Sequence, residues 1–567
     1  MFKKEVVTLL EKEIKPERGE IINLIETPPP DLGDYSFPCF TLAKKFRKNP
    51  IEIAKDLAVK IKPTKIIERI EAAKGYVNFF IKKNVLAERV LGGILKGKEN
   101  FGYSIIGKGK KVVIESPGPN TNKPLHLGHL RNMAIGISLS NLFKATGHKV
   151  INVDIVNDRG IHIAKSMLAY KKFGKNKQPT KKQKPDHFVG DFYVLYNKKE
   201  KQNPELKEEL NEMLRKYEEK DKETIALLKK MKSWAIKGIK ETYKRFGMHV
   251  DKVYFETEHY EKGKAIVLKY LKKGIFKKDK DGSVFINLEG EKLGKKILLR
   301  ADGTSLYITQ DLYLAIKRYQ DYRMNKMIYV VGSEQIYHFK VLFTLLKMVR
   351  FKFTNSYYHL PYGMVYLPEG RMKSREGSVV DADDLLDEIA ALAKKEIFRR
   401  EPKLNKKELE ERAEHISLAA TKFFILKHDA LKDFTYKPEE AISFEGETGP
   451  YIQYAHARAS SILRKAKEKP KFSKRVLRLK EKEEHLLVRE LSKFPELVEK
   501  ATERLKPDVI ANYAYTLAKT FTNFYSSLKV LTEDKQERQE RLILTAATKQ
   551  VLTNALNLLS IKALERM

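Results

Sequence analysis

Over the first hundred residues, apolar positions recur at helical spacing in EVVTLLEKEI and PIEIAKDLAVKI. A PPPDLGDYSF turn region separates the two runs, and GYVNFFIKK reads as a strand-like end. KKVVIESP, short and rich in branched apolar residues, predicts a buried strand. A loop of Pro, Gly and Asn follows, then HLGHLRNMAIGISLSNLFKATG, where Leu130, Ile137 and Phe143 share one helical face and Gly147 stands ready to end the helix. HKVINVDIV predicts a second strand. Strand, loop, helix and strand make the βαβ unit of a doubly wound sheet, which takes its ligand at the strand's carboxyl end and the helix N-terminus. From about 165 to 300 the pattern is Lys-rich and mostly helical, with KKFGKNKQPTKKQKP an exposed loop. MIYVVG (327–332) and YGMVYL (362–367) predict a return to the sheet. Beyond about 385 the long amphipathic runs HISLAATKFFILKHDAL, PDVIANYAYTLAKTFTNFYSSLKVL and LILTAATKQVLTNALNLLSI predict an all-α bundle. The expected class is α/β, in three units: a small α/β module over 1–107, a doubly wound unit over 108–385 with an insertion at about 165–300, and a helical bundle over 386–567.

Charge narrows the partners. Lys plus Arg number 111 against 74 acids, a formal charge of +37. Ion-pair networks add both signs about equally, so a surplus this large points to a polyanion, in first place nucleic acid. The single cysteine, Cys39, allows no intrachain disulfide and no thiolate cluster for zinc. The polar start FKKEVVTLLEKE has no apolar signal core, and no run nears ~20 uninterrupted apolar residues. A cytoplasmic chain with no membrane partner is expected.

The densest chemical signal is PLHLGHLRN (124–132). His126 and His129 sit three residues apart at a helix start, on the same side of its first turn. Gly128 removes a side chain where a base or phosphate would approach the backbone. Helix N-terminal amides favour an anion, and imidazole donors beside them suit a phosphate that gains charge. From the residues alone, two capping histidines or half a metal site stay open as alternatives. GRMKSREG (370–377), alone, reads as a solvated basic turn.

Taken together, the two segments carry a resemblance. His126-Leu127-Gly128-His129 resembles the HIGH signature of class I aminoacyl-tRNA synthetases, and GRMKSREG stands where the KMSKS-type loop of that class belongs. VIESPGPNTNKPLHLGH, LLRADGTSLYITQDL (298–312), YVVGSEQIYHFK and FEGETGPYIQYAHARASSILRK (444–465) are similar to the arginyl-tRNA synthetases, a likeness that covers nearly the whole chain. The resemblance implies a Rossmann-type catalytic domain with an insertion, an N-terminal add-on module and a C-terminal anticodon-binding bundle. It implies a monomer that uses ATP with Mg²⁺, without zinc, to join arginine to tRNA. Glu115, Asn120, His126, Tyr307, Asp311 and Gln335 would then bind arginine, with Glu115 and Asp311 on its guanidinium. His126, Gly128, His129, Met372 and Ser374 would bind ATP. Two alternatives stand beside this reading: another synthetase of the class, and a non-catalytic tRNA-binding relative.

For tRNA, the resemblance implies that Tyr76 and Asn78 in GYVNFF meet a base at the tRNA elbow, while Tyr451, Tyr454, Tyr525 and Met567 serve the anticodon. Splayed bases need aromatic partners for stacking. The chain departs from the class pattern at one place. In Arg371-Met372-Lys373-Ser374-Arg375, Ser374 occupies the position where the second lysine is expected. Lys373 and Arg375 flank it, and Lys123, three residues before His126, is a candidate to supply the missing charge.

Overall fold

The N-terminal unit is a three-stranded antiparallel sheet of β1 (Tyr35–Pro38), β2 (Ile67–Ala73) and β3 (Tyr76–Ile81), in the order β1-β3-β2. Helices Lys3–Ile14 and Pro50–Lys60 are the two runs with helical periodicity. The second starts as its sequence suggests: Asn49 caps it by accepting from Ile51 N–H, and Pro50 occupies the first turn. The computed structural model describes residues 2–14, 20–368, 380–472 and 477–567.

The catalytic unit is built on five parallel strands: β4 (Lys111–Glu115), β5 (Lys149–Val156), β6 (Lys252–Phe255), β10 (Lys326–Gly332) and β11 (Tyr357–Tyr362). Their order is β11-β10-β4-β5-β6. After β4 the chain crosses to β5 on one side, and β10 later fills the other side. Strand order therefore reverses at β4, and in open parallel sheets the crevice at such a point takes the ligand. Between β6 and β10 lies a small antiparallel sheet of β7 (Lys277–Lys278), β8 (Val284–Leu288) and β9 (Gly294–Leu299). The stretch expected as a mostly helical insertion thus also holds β6 of the main sheet and, beyond Lys272, the small sheet β7–β9. The strand expected at 362–367 lies elsewhere. The sheet strand is 357–362, and β12 (Val365–Tyr366) leaves the sheet to pair with β13 (Phe434–Thr435) at the foot of the bundle.

Helix Leu127–Ala145 is buried on every side, 16 of its 19 residues being named among its buried positions. One side packs on β4, β5 and β10, the other on helices Lys406–Leu426, Lys482–Arg504 and Lys535–Leu558 of the bundle. A helix enclosed in this way has no polar face to give it a strong amphipathic pattern. Gly147 adopts φ +83° just beyond its end, a conformation that favours glycine. Helices Gly449–Lys465 and Asp508–Ser527 complete the bundle.

Candidate active site

The carboxyl ends of β4 and β10 and the N-terminus of helix Leu127–Ala145 meet at one crevice. The loop leaving β4 is pinned to the end of β5: Thr121 N–H donates to Asn157 O, Asn157 N–H to Pro119 O, and Asn120 bridges Asn157. Gly118 N–H donates to the buried Asp154, whose other oxygen accepts from Tyr243 Oη at 2.8 Å. Burial raises the Asp154 carboxyl to about 7.

His126 and His129 cap the helix reciprocally. His126 Nδ1 accepts from Gly128 N–H at 3.1 Å, and His129 Nδ1 accepts from His126 N–H at 3.1 Å. With both Nδ1 atoms used as acceptors, each neutral ring carries its proton on Nε2. The ring centroids lie 3.8 Å apart. Burial, reinforced by the positive charge of Lys123, lowers His126 to about 4; burial, His126 and Lys123 together lower His129 well below its usual value. Lys123 is therefore close enough to act on both rings. A Cβ at residue 128 would come within 3.0 Å of the His126 ring. The capping alternative is thus realised, and it leaves two neutral Nε2–H donors at a helix N-terminus.

Val380–Ala382 runs antiparallel beside this turn: Leu127 N–H donates to Val380 O and Ala382 N–H to Leu125 O. Lys373, Arg375, Met372 and Ser374 lie outside the described residues; their segment rejoins the described chain at Val380, beside the histidines. Asp381 caps helix Ala382–Arg400 and approaches His187 Nε2 at 3.4 Å. His187, Asp381 and Asp383 are close enough for their atoms to share one ion. Asp383, however, already accepts from Lys184 at 2.7 Å and from Thr242 at 2.8 Å.

Glu115, at the end of β4, is buried and lies against the guanidinium of Arg318, itself 1% exposed. Burial, helped by the nearby charge of Asp311, raises the Glu115 pKa against the pull of Arg318. Helix Tyr307–Tyr322 supplies the next side chains. Tyr307 opens it, 63% exposed, and Asp311 stands one turn on, partly buried, with His338 Nε2 at 2.6 Å from its Oδ2. Gln335, exposed, ends the short turn after β10. Neither Arg318 nor His338 was among the expected site residues. An arginine within an amphipathic helix carries no local sign of burial, whereas His338 lies in the YVVGSEQIYHFK segment itself.

On the bundle, Tyr454 and Tyr525 flank Arg458. The Arg458 guanidinium bonds to Tyr454 Oη and lies 5.3 and 5.6 Å from the two ring centroids. Tyr451 donates to Thr522 and packs on Tyr515. Met567 packs against the buried cluster of Ala393, Ile397, Ala413, Ile416 and Leu564. In the N-terminal sheet, Tyr76 is half-buried against Phe40. Asn78 is buried and its Oδ1 accepts from Ser36 Oγ at 2.7 Å.

Comparison with known proteins identifies the family. Residues 92–437 match the catalytic domain of class I tRNA synthetases (R), 452–567 the DALR anticodon-binding domain, and 2–81 the N-terminal domain of arginyl-tRNA synthetase. The chain is 48% identical over 557 residues to the arginine–tRNA ligase of Treponema denticola, covering 96% of this chain and 94% of that one. It is 40% identical over 586 residues to that of Borrelia hermsii, covering 100% and 99%. The arginyl-tRNA synthetase structure of Thermus thermophilus superimposes with a TM-score of 0.86 at 26% identity over the full length of both chains. Among the described residues, no helix is long and apolar enough to cross a membrane. The chain belongs to the class I arginyl-tRNA synthetases, which are arginine–tRNA ligases.

Proposed function

We propose that arginine activation takes place in the crevice at the ends of β4 and β10, with roles assigned to particular side chains. Glu115 and Asp311 face the substrate guanidinium, a planar cation with a fixed fork of donors that suits two carboxylates. Arg318 keeps Glu115 charged before the substrate arrives, and His338 orients Asp311. Asn120 and Gln335 hold the α-amino end and Tyr307 covers the site. The observation that carries the reading is the reciprocal capping of His126 and His129, which presents two neutral Nε2–H donors beside the arginine pocket.

The substrate carboxylate attacks the α-phosphorus of ATP; the bond to the bridging oxygen breaks and pyrophosphate departs with its electron pair. The histidines and the helix N-terminus stabilise charge on the α-phosphate, and Lys123, with Arg375, stabilises the leaving group. Met372, Ser374 and Lys373 belong to the ATP-facing segment. Magnesium enters as part of the ATP complex and shields the phosphates. A terminal ribose hydroxyl of tRNA then attacks the arginyl carbonyl and AMP leaves. Tyr76 and Asn78 meet the tRNA elbow, and Tyr451, Tyr454, Tyr525 and Met567 serve the anticodon. The chain acts as a cytoplasmic monomer without zinc, its units divided near 107 and 385.

Arginine-dependent ATP–pyrophosphate exchange, with tRNA present, tests the assignment. His129→Ala is expected to lower its kcat by roughly 10²-fold, the typical loss of one preorganised donor. Wild-type kcat in that variant would remove the histidines from the chemistry.

A further inference from the structure

Two residues after His129 stands a side chain that no part of this mechanism uses. Arg131 is 1% exposed, and among the described residues its hydrogen-bond acceptors are backbone carbonyls, with no carboxylate among them. Nη1 donates to Gly363 O at 2.7 Å and Met364 O at 3.1 Å. Nη2 donates to Ala430 O at 2.8 Å and Lys432 O at 2.7 Å, with Asp429 O at 3.4 Å. The guanidinium also lies 4.7 Å from the Phe434 ring centroid. Burying a guanidinium on neutral acceptors is costly, so a position that keeps one has a use for its planar fan of donors.

The carbonyls belong to two separate stretches of chain. Residues 363 and 364 follow β11, the edge strand of the catalytic sheet; residues 429–432 lead from helix Lys406–Leu426 of the bundle into β13. The stretches are stitched together around the arginine. Gly363 N–H donates to Ala430 O at 2.9 Å, Met364 N–H to Asp433 Oδ1 at 2.7 Å, and Phe434 N–H to Met364 O at 3.2 Å. They touch so closely that a Cβ at residue 363 would fall 2.3 Å from Asp433 Oδ1. On the bundle side, Lys506, just ahead of helix Asp508–Ser527, bonds to Asp429 at 2.7 Å. The adjacent Asn132 ties the same helical turn to Val330 O of β10 at 2.7 Å.

We infer that Arg131 is a positioning residue for arginine activation: it locks the histidine-bearing turn of helix Leu127–Ala145 to the edge of the sheet and to the foot of the bundle, so that bundle placement sets the position of His126 and His129. Lysine cannot substitute, because one ammonium cannot span four carbonyls from two segments. The inference rests on the reading of the two histidines as phosphate-facing, and the His129→Ala variant tests that reading on its own.

The experiment uses the full chain with tRNA present. Arg131→Lys is expected to lower kcat of ATP–pyrophosphate exchange at least tenfold, with arginine KM, ATP KM and tRNA Kd within twofold of wild type. Asp433→Ala, which removes the exposed acceptor of Met364 N–H, is expected to lower kcat in the same direction by less. If the two act through one node, the double variant falls no more than about twofold below Arg131→Lys alone. Wild-type kcat in Arg131→Lys, a loss confined to tRNA Kd, or losses that multiply in the double variant would overturn the inference. Should Arg131→Lys fail to fold, Asp433→Ala decides: reduced kcat at unchanged KM supports it, and wild-type kcat overturns it.

Discussion

The carboxylate of Glu115 is held against the guanidinium of Arg318 at the end of β4, where both side chains are withdrawn from water. Removing one partner of a buried pair strands the other charge, at a cost of about 3–5 kcal/mol. Arg318→Met is therefore expected to lower the melting midpoint by roughly 3–9 °C, and to weaken arginine binding as Glu115 loses its fixed counter-charge. Thermal melts followed by circular dichroism check the first effect. An unchanged midpoint would mean that the pair adds nothing to the fold.

The capping histidines bring a signed pH dependence. The fold holds His126 near 4, against a usual value of 6.5. Between these values the unfolded chain binds a proton that the folded chain refuses, so this contribution to stability is fully present above about 6.5 and is lost as pH falls towards 4. The imidazole resonances of His126, compared with those of a His126→Gln variant, should stay in their neutral form at pH 5.5. A titration midpoint near 6.5 would contradict the burial argument.

Lys123 is proposed to supply the charge that the second signature lacks at Ser374. It precedes His126 by three residues, and its charge lowers the pKa of both imidazoles. Lys123→Ala is expected to depress kcat of activation by about 10²–10³ while arginine KM stays nearly unchanged. Lys373→Ala should do much less. If the two variants behave in reverse, the charge is supplied from 373 and the compensation does not exist.

On the bundle, the Tyr454, Arg458 and Tyr525 group offers stacking surfaces beside a cation, as unpaired bases require. Tyr454→Ala, and separately deletion of Met567, should raise tRNA KM more than arginine KM in steady-state aminoacylation. An unchanged tRNA KM in both would move the anticodon face elsewhere.

Local chemistry was legible in the chain wherever a short segment carries its own signal. The loop, helix start and strand around His126 could be read because turn residues and a branched apolar run enclose them, and helix Leu127–Ala145 ends where Gly147 requires. Strand β11 was not legible. YYHLPY mixes polar and apolar residues on an edge strand and includes Pro361, so its period is weak, while the more apolar YGMVYL drew the strand downstream. In sheet β7–β9, β7 is two lysines and β9 opens with Gly-Lys-Lys, which hides both, whereas β8, VFINL, carries a strand pattern of its own. Arg131 and Arg318 show the deeper limit. Each is fully enclosed by elements far away in sequence, and nothing near either residue separates it from an ordinary surface arginine.

The proposed selection of arginine by Glu115 and Asp311 through its guanidinium is tested by the arginine KM of Asp311→Asn in ATP–pyrophosphate exchange. Asp311 keeps its geometry as an amide, because His338 Nε2 still has an oxygen acceptor 2.6 Å away, so the substitution removes charge and little else. The account predicts that arginine KM rises at least about tenfold while ATP KM stays within twofold. Wild-type arginine KM in Asp311→Asn, repeated in Glu115→Gln, would contradict it.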